Sequence, residues 1–378
     1  MKPTLTSSLY GLSRRQLLKA GGAAVLTTPF ASRAWAATTE INMLAWYGHG
    51  EPDMVAEYEA ANNVKFVPKY YAGGDNMLAL IAQSPPGTYD LILSDGEFVQ
   101  QLNLAGYIEE MDPADYPLDD MLHEDFKQFP GHWADGKMYS MMLRGGHLGV
   151  SYNKNSVTAE EAASYECFWK PELAGKVGHF DWHLPTLGMM SLYNGNGAGL
   201  WDLDDAKWSA VQETTMGLRK QVGGFFDYGG TFNGLKNGEM QAMVGIGDWI
   251  TGVLEKDGAP VASVIPKEGG IQFTESYSIG KGSEKTAEVK KFIQHMMSPA
   301  GQVKSAQMAA YPGFCVTKAG RAALIEADLA EATRSHQIDG DPQDPITLIN
   351  EGHIHYRDIP QQQGLEDWND FWSEYKSA

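Results

Sequence analysis

Ile41-Asn42-Met43-Leu44-Ala45-Trp46 is a short apolar run ending on an aromatic ring, and the segments after it set the fold class. Pro52 to Ala61 reads as a helix stopped by Asn62-Asn63. Val64-Lys65-Phe66-Val67 reads as a strand, and Asn76 to Gln83 as a helix. Tyr89 to Leu93 is a strand ending at Ser94-Asp95-Gly96, with a further helix through Leu104. Strands alternating with helices in this way indicate βαβ units, an α/β fold and a mostly parallel sheet. Leu148-Gly149-Val150-Ser151-Tyr152-Asn153 is another strand, where the chain is expected to cross to a second lobe.

Residues 154 to 270 repeat the alternation with more Gly and Trp. Gly238 to Gly247 reads as a helix end followed by a strand, then a loop at Asp248-Trp249 and a helix to Lys256. Ala262 to Ile265 is a strand and Pro266-Lys267-Glu268-Gly269-Gly270 a turn. Across Ala287 to Ala300, Val289, Phe292, Ile293, Met296 and Met297 fall on one face of a helix, so the methionines read as core.

The ends and composition narrow the function. Ser13-Arg14-Arg15-Gln16-Leu17-Leu18 is a twin-arginine box; an apolar run, Ala20 to Ala31, and the small-x-small pattern Ala34-Trp35-Ala36 come after it. Residues 1–36 therefore read as an export signal cleaved after Ala36, and the run, broken by Gly21, Gly22 and Pro29, is too short to span a bilayer. The remaining 342 residues are more than one core usually supports, so two lobes are expected. The formal net charge is −19, and removing the signal's five positive charges leaves the mature chain near −24. Such a balance excludes nucleic acid and anionic membrane surfaces as partners, since both need basic patches. The two cysteines, Cys167 and Cys315, read as paired or singly buried.

In their order, these blocks resemble the spermidine/putrescine-binding branch of the periplasmic solute-binding proteins. The resemblance is carried by the strand ending in Trp46, by Tyr89-Asp90-Leu91-Ile92-Leu93 with its loop and helix, and by Gly175-Lys176-Val177. Pro266-Lys267-Glu268-Gly269-Gly270-Ile271, with Phe273 and Glu275 beyond, is the most specific block; the helix to Pro299 and then Tyr311-Pro312 complete the set. The resemblance implies a two-lobed, hinge-linked periplasmic binding protein fold (type II-like) with a ligand cleft between the lobes. Lobe 1 would comprise residues 38–150 plus 274–317, and lobe 2 residues 151–272 plus 318–378. It also implies a periplasmic carrier, expected to be monomeric and without a cofactor. Such a carrier hands its solute to an ABC transporter permease, and the twin-arginine translocase would be its partner during export.

The same resemblance implies which residues hold the ligand. Trp46 matches a cleft tryptophan, and otherwise reads as core at the sheet edge; His49 falls where the family has a tyrosine. Asp95 and Glu97 fall on ligand-contacting positions, although both also suit a helix N-terminus. Phe273 and Glu275 keep an aromatic-plus-acid pair, and Tyr311 matches a tyrosine. Trp182 and Pro185 replace two acids of the polyamine binders. Gly247 replaces a tryptophan, for which the adjacent Asp248 and Trp249 are candidate substitutes. Arg144, in Met141-Met142-Leu143-Arg144-Gly145-Gly146, lies close to the expected hinge. If it faces the cleft it would clamp a carboxylate bidentately, which favours a zwitterionic amino acid or ω-amino acid. The expected solute is thus a small cationic amine, polyamine-like, with the zwitterion as the alternative.

Two other classes fit the residues less well. No Gly-x-Ser-x-Gly elbow, phosphate-binding Gly-rich loop or His-Glu-x-x-His helix points to an enzyme such as a secreted hydrolase. A metal-ion carrier would need more ligands than His353-x-His355 or Tyr70-Tyr71 supply.

Overall fold

The computed structural model describes residues 37–378; the twin-arginine box and the expected cleavage site lie outside the described residues. Strand β1 (Thr39–Ala45) pairs in parallel with both β2 (Val64–Tyr70) and β3 (Leu91–Asp95). Pro68 is tolerated in β2 because that strand is the edge of its sheet. A hairpin, β4 (Trp133–Ala134) with β5 (Lys137–Met138), precedes β6 (Met141–Leu148). The chain then crosses at Gly149 into β7 (Val150–Asn153), followed by β8 (Val177–Phe180), β9 (Val222–Phe226), β10 (Ala242–Val244) and β11 (Val261–Val264). It returns to β12 (Gly270–Ile279), β13 (Phe314–Cys315) and β14 (Ile354–Tyr356). Gly149 is required where the outgoing and returning chains meet: a β-carbon there would collide with the Val264 carbonyl oxygen.

Each lobe has one main sheet. The first is ordered β13-β6-β12-β3-β1-β2, with β14 added beside β12; the second is β11-β7-β10-β8-β9. The expectation of mostly parallel sheets is corrected. β6, β12 and β13 run antiparallel where they pair, β12 runs antiparallel to β3, and β7 is antiparallel to both its neighbours. Strands that carry the chain between lobes must run back along their sheets, whereas the βαβ portions remain parallel.

The tail departs from the expected division as well. Lys318–Ala327 packs near Pro299–Ala306 in a shared core of Ala306, Cys315 and Leu324, and β14 joins β12 of the first sheet. The closing helix Leu365–Ser377 packs on the second lobe, where Trp372 sits against His179 and Phe225, and Arg334 of the tail also reaches Asp248 there. A returning strand of three residues carries no pattern that says which sheet it will join. The apolar stripe of Val289, Phe292, Ile293 and Met296 is fully buried, but its helix, Thr286–Met296, stops before Pro299. That proline cannot continue a helix and instead opens the next one, capped by Ser298. Cys167 and Cys315 are both buried and unpaired. No helix among the described residues is long and apolar enough to cross a membrane.

Candidate functional site

The order of the first sheet brings chemistry from distant segments into one row. Glu275 on β12 stands opposite Asp95 on β3 and opposite Arg144 on β6. Trp46 follows β1, on the far side of β3. From the second lobe, the ends of β8 and β9 present Phe180-Asp181-Trp182 and Phe226-Asp227-Tyr228, and the helix Asp248–Lys256 presents Trp249. Between them lies a cleft of about 590 Å³. Ten of its lining residues are aromatic: Trp46, Tyr47, Tyr71, Phe180, Trp182, Phe226, Tyr228, Trp249, Phe273 and Tyr311. Rings from opposite lobes meet there, Trp46 with Trp182 at 6.0 Å and Trp249 with Tyr311 at 5.8 Å between centroids.

Of the residues singled out in the sequence, Trp46, Asp95, Trp182, Trp249, Phe273, Glu275 and Tyr311 line this cleft. The others do not. His49 is fully buried behind it, with Nε2 3.0 Å from Glu275 Oε2 and 3.1 Å from the Tyr311 hydroxyl. Glu97 is buried against Arg357. Asp248 is the first residue of its helix and forks with Arg334 at 2.7 and 3.0 Å, beside a separate cavity of about 70 Å³. The carboxylate clamp expected of Arg144 is overturned. Its side chain is inaccessible, and it donates to Glu275 Oε2 at 2.7 Å, the Ser305 carbonyl at 2.7 Å and the Tyr311 carbonyl at 3.0 Å. Arg144 therefore holds Glu275 in place from behind and offers nothing to a solute.

A family model, "Bacterial extracellular solute-binding protein", matches residues 53–332. The chain belongs to that family. It is 24% identical over 281 residues to spermidine/putrescine-binding periplasmic protein 1 of Haemophilus influenzae, covering 73% of this chain and 76% of that protein. It is likewise 24% identical over 277 residues to the spermidine/putrescine-binding periplasmic protein of Escherichia coli, covering 71% and 75%. Among solved structures, the spermidine/putrescine ABC transporter substrate-binding protein PotD from Streptococcus pneumoniae superposes with a TM-score of 0.70 at 15% identity, over 90% of this chain and 99% of that one. The protein is a two-lobed solute-binding protein, and not an enzyme. Among the described residues no cluster of His, Cys, Asp and Glu could hold a metal ion.

In this solute-binding protein the cleft carboxylates differ in charge state. Burial alone would raise the Glu275 carboxyl, but the Arg144 charge and the bonds from His49 and Tyr311 outweigh it and hold it down at about 2. Tyr311 donates its hydroxyl proton to Glu275 Oε1 at 2.7 Å. His49 is kept neutral, since burial pushes its ring below the ordinary value against the pull of Glu275. A carboxylate can only accept, so the His49 proton sits on Nε2 and leaves Nδ1 as the bare nitrogen. Asp95 and Glu97 behave oppositely. Burial raises both, Asp95 to about 6 and Glu97 to about 8, against the attraction of Arg357.

Among the cleft residues that sequence reasoning missed, three make contacts that shape the site. Tyr71 follows β2 and donates its hydroxyl to the Leu93 carbonyl at 3.0 Å. Tyr228 opens a helix of the second lobe, and its hydroxyl bonds the Ala310 carbonyl of the first. Arg357, at the end of β14, reaches Asp95 at 2.7 Å and Glu97 at 2.5 Å and stacks over the Trp182 ring with its central carbon 4.5 Å from the centroid. An aromatic doublet after a strand, as at Tyr70-Tyr71, was a usable signal; nothing local marks Arg357.

Proposed function

We propose that this chain is the periplasmic substrate-binding component of an ABC importer for a small amine, which it holds in the interlobe cleft and hands to the permease. The observation that carries this reading is the chemistry of the cleft: aromatic faces from both lobes surround the carboxylates of Asp95 and Glu275. An alkylammonium is recognised by just those groups. Each ring facing a cation contributes about 0.5–2 kcal/mol, and a carboxylate adds a charge-assisted hydrogen bond. The methylenes of such a solute would lie along the rings. Contacts between lobes, such as Trp46 with Trp182, would then hold the closed form. Relatives named as spermidine/putrescine-binding support an amine, and their periplasmic designation supports the compartment. Export through the twin-arginine translocase, cleavage after Ala36 and action as a monomer belong to the same proposal; the export route and the cleavage rest on Ser13-Arg14-Arg15 and Ala34-Trp35-Ala36.

The test is a thermal-shift screen of the mature protein against amines and the alcohols of matching length. A ligand at 100 times its Kd adds about 2.7 kcal/mol, well within reach of such a screen. Amines are expected to stabilise and alcohols not. Stabilisation confined to sugars or oxyanions would overturn the amine assignment.

A further inference from the structure

Building on the amine reading, we infer that Arg357 is a tethered cation that already occupies one of the cleft's cation places, so that the carrier selects solutes with one positive charge over diamines. Two carboxylates and one aromatic face are the contacts by which a protein would grip an alkylammonium. At the Asp95 end of the cleft all three are taken up by the chain's own guanidinium: Asp95 at 2.7 Å, Glu97 at 2.5 Å and the Trp182 ring at 4.5 Å. The arginine is fixed in place by its backbone. Its amide donates to the Gln272 carbonyl at 2.8 Å, and the preceding Tyr356 carbonyl accepts from Trp201 at 2.9 Å.

Charge balance points the same way. The buried floor sets three carboxylates, Asp95, Glu97 and Glu275, against two guanidiniums, Arg144 and Arg357. At most one negative charge is in excess, one when all are ionised and none once Glu97 takes up a proton, so no charge is left to match a second ammonium. A role for Arg357 as clamp for a solute carboxylate fits less well, because a third anion would have to join the two it already serves. Arg357 also lies beyond residues 53–332, so the match to the family model does not extend to it.

The experiment is calorimetric titration of the mature wild type and Arg357→Ala with butylamine and 1,4-diaminobutane, supplemented by melting curves with ethylguanidine. The wild type should favour butylamine, and in Arg357→Ala the preference should shift toward the diamine by at least about tenfold, the weight of one charge-assisted contact. Ethylguanidine should raise the melting temperature of the variant more than that of the wild type. If Arg357→Ala does not fold, Arg357→Gln, which removes the charge and keeps a hydrogen-bond donor beside the carboxylates, is held to the same shift. A wild type that binds the diamine as well as the monoamine, or a variant whose preference does not move, overturns this inference alone. No binding of either amine by any of these proteins overturns the amine reading and this inference with it.

Discussion

Arg144 and Arg357 each pair with carboxylates at the cleft floor, and each stacks on an aromatic ring, Tyr311 in one case and Trp182 in the other. Their surroundings differ. Arg144 is sealed behind the sheet and also donates to the Ser305 and Tyr311 carbonyls, and its charge keeps the Glu275 carboxylate ionised. Arg357 lines the cleft, touches a ring from the opposite lobe and faces two acids that share its one charge. The same residue type thus builds the floor at one end and fills a binding place at the other. The difference lies in what each guanidinium's other atoms touch.

The contrast is most severely tested by stability. Arg144→Met leaves Glu275 buried without its cation, and should cost about 3–5 kcal/mol in urea denaturation. Arg357→Ala should cost less, and the gap should widen as pH is lowered toward 6. Asp95 and Glu97 already hold their protons above the ordinary carboxylate range and can discharge themselves, whereas Glu275 cannot. Equal losses at every pH would erase the distinction.

A smaller effect concerns the ring that the two lobes share. Trp182→Ala removes the face over Arg357 and the neighbour of Trp46, and should weaken amine binding about 3- to 10-fold by calorimetry, the range of one ring–ring contact between the lobes. An unchanged Kd would mean that the Trp46–Trp182 contact does not help to hold the solute. Glu97→Gln addresses pH. The folded-state value of Glu97 lies at about 8, above its ordinary 4.5, so between those limits the folded protein keeps a proton that the unfolded chain has released. Its contribution therefore makes stability fall as pH rises through that window, and the variant's melting temperature should fall less steeply there. Glu275 has the opposite sign: its stabilisation is present above the ordinary carboxylate range and lost only as pH falls toward about 2. The smallest effect is expected from Asp248→Asn, which should change amine affinity by less than about twofold because its carboxylate serves Arg334 outside the cleft.

Much of this molecule was legible in its residues. The alternation from Ile41 to Leu104 pointed to the α/β class, and Trp46, Asp95, Phe273, Glu275 and Tyr311 do meet at one cleft. What escaped depends on pairing between distant strands. Arg144 and Glu275 are far apart in sequence and are brought together by the register of β6 on β12. That register also decides that the guanidinium is consumed internally. Arg357 rides on a strand of three residues whose only mark is its partner in β12. Asp248 was misplaced for a simpler reason: an acid at the start of a helix satisfies the helix terminus equally well whether or not a ligand is near.

Titrating the mature wild-type protein in a calorimeter with butylamine, butanol and 1,4-diaminobutane probes the account at its centre. A single saturating site for butylamine, no heat of binding for butanol, and a diamine at least about tenfold weaker than the monoamine are the results predicted where at most one negative charge is spare among aromatic walls. Butanol binding as tightly as butylamine would contradict it, because a cleft indifferent to positive charge has no use for Glu275 and Asp95.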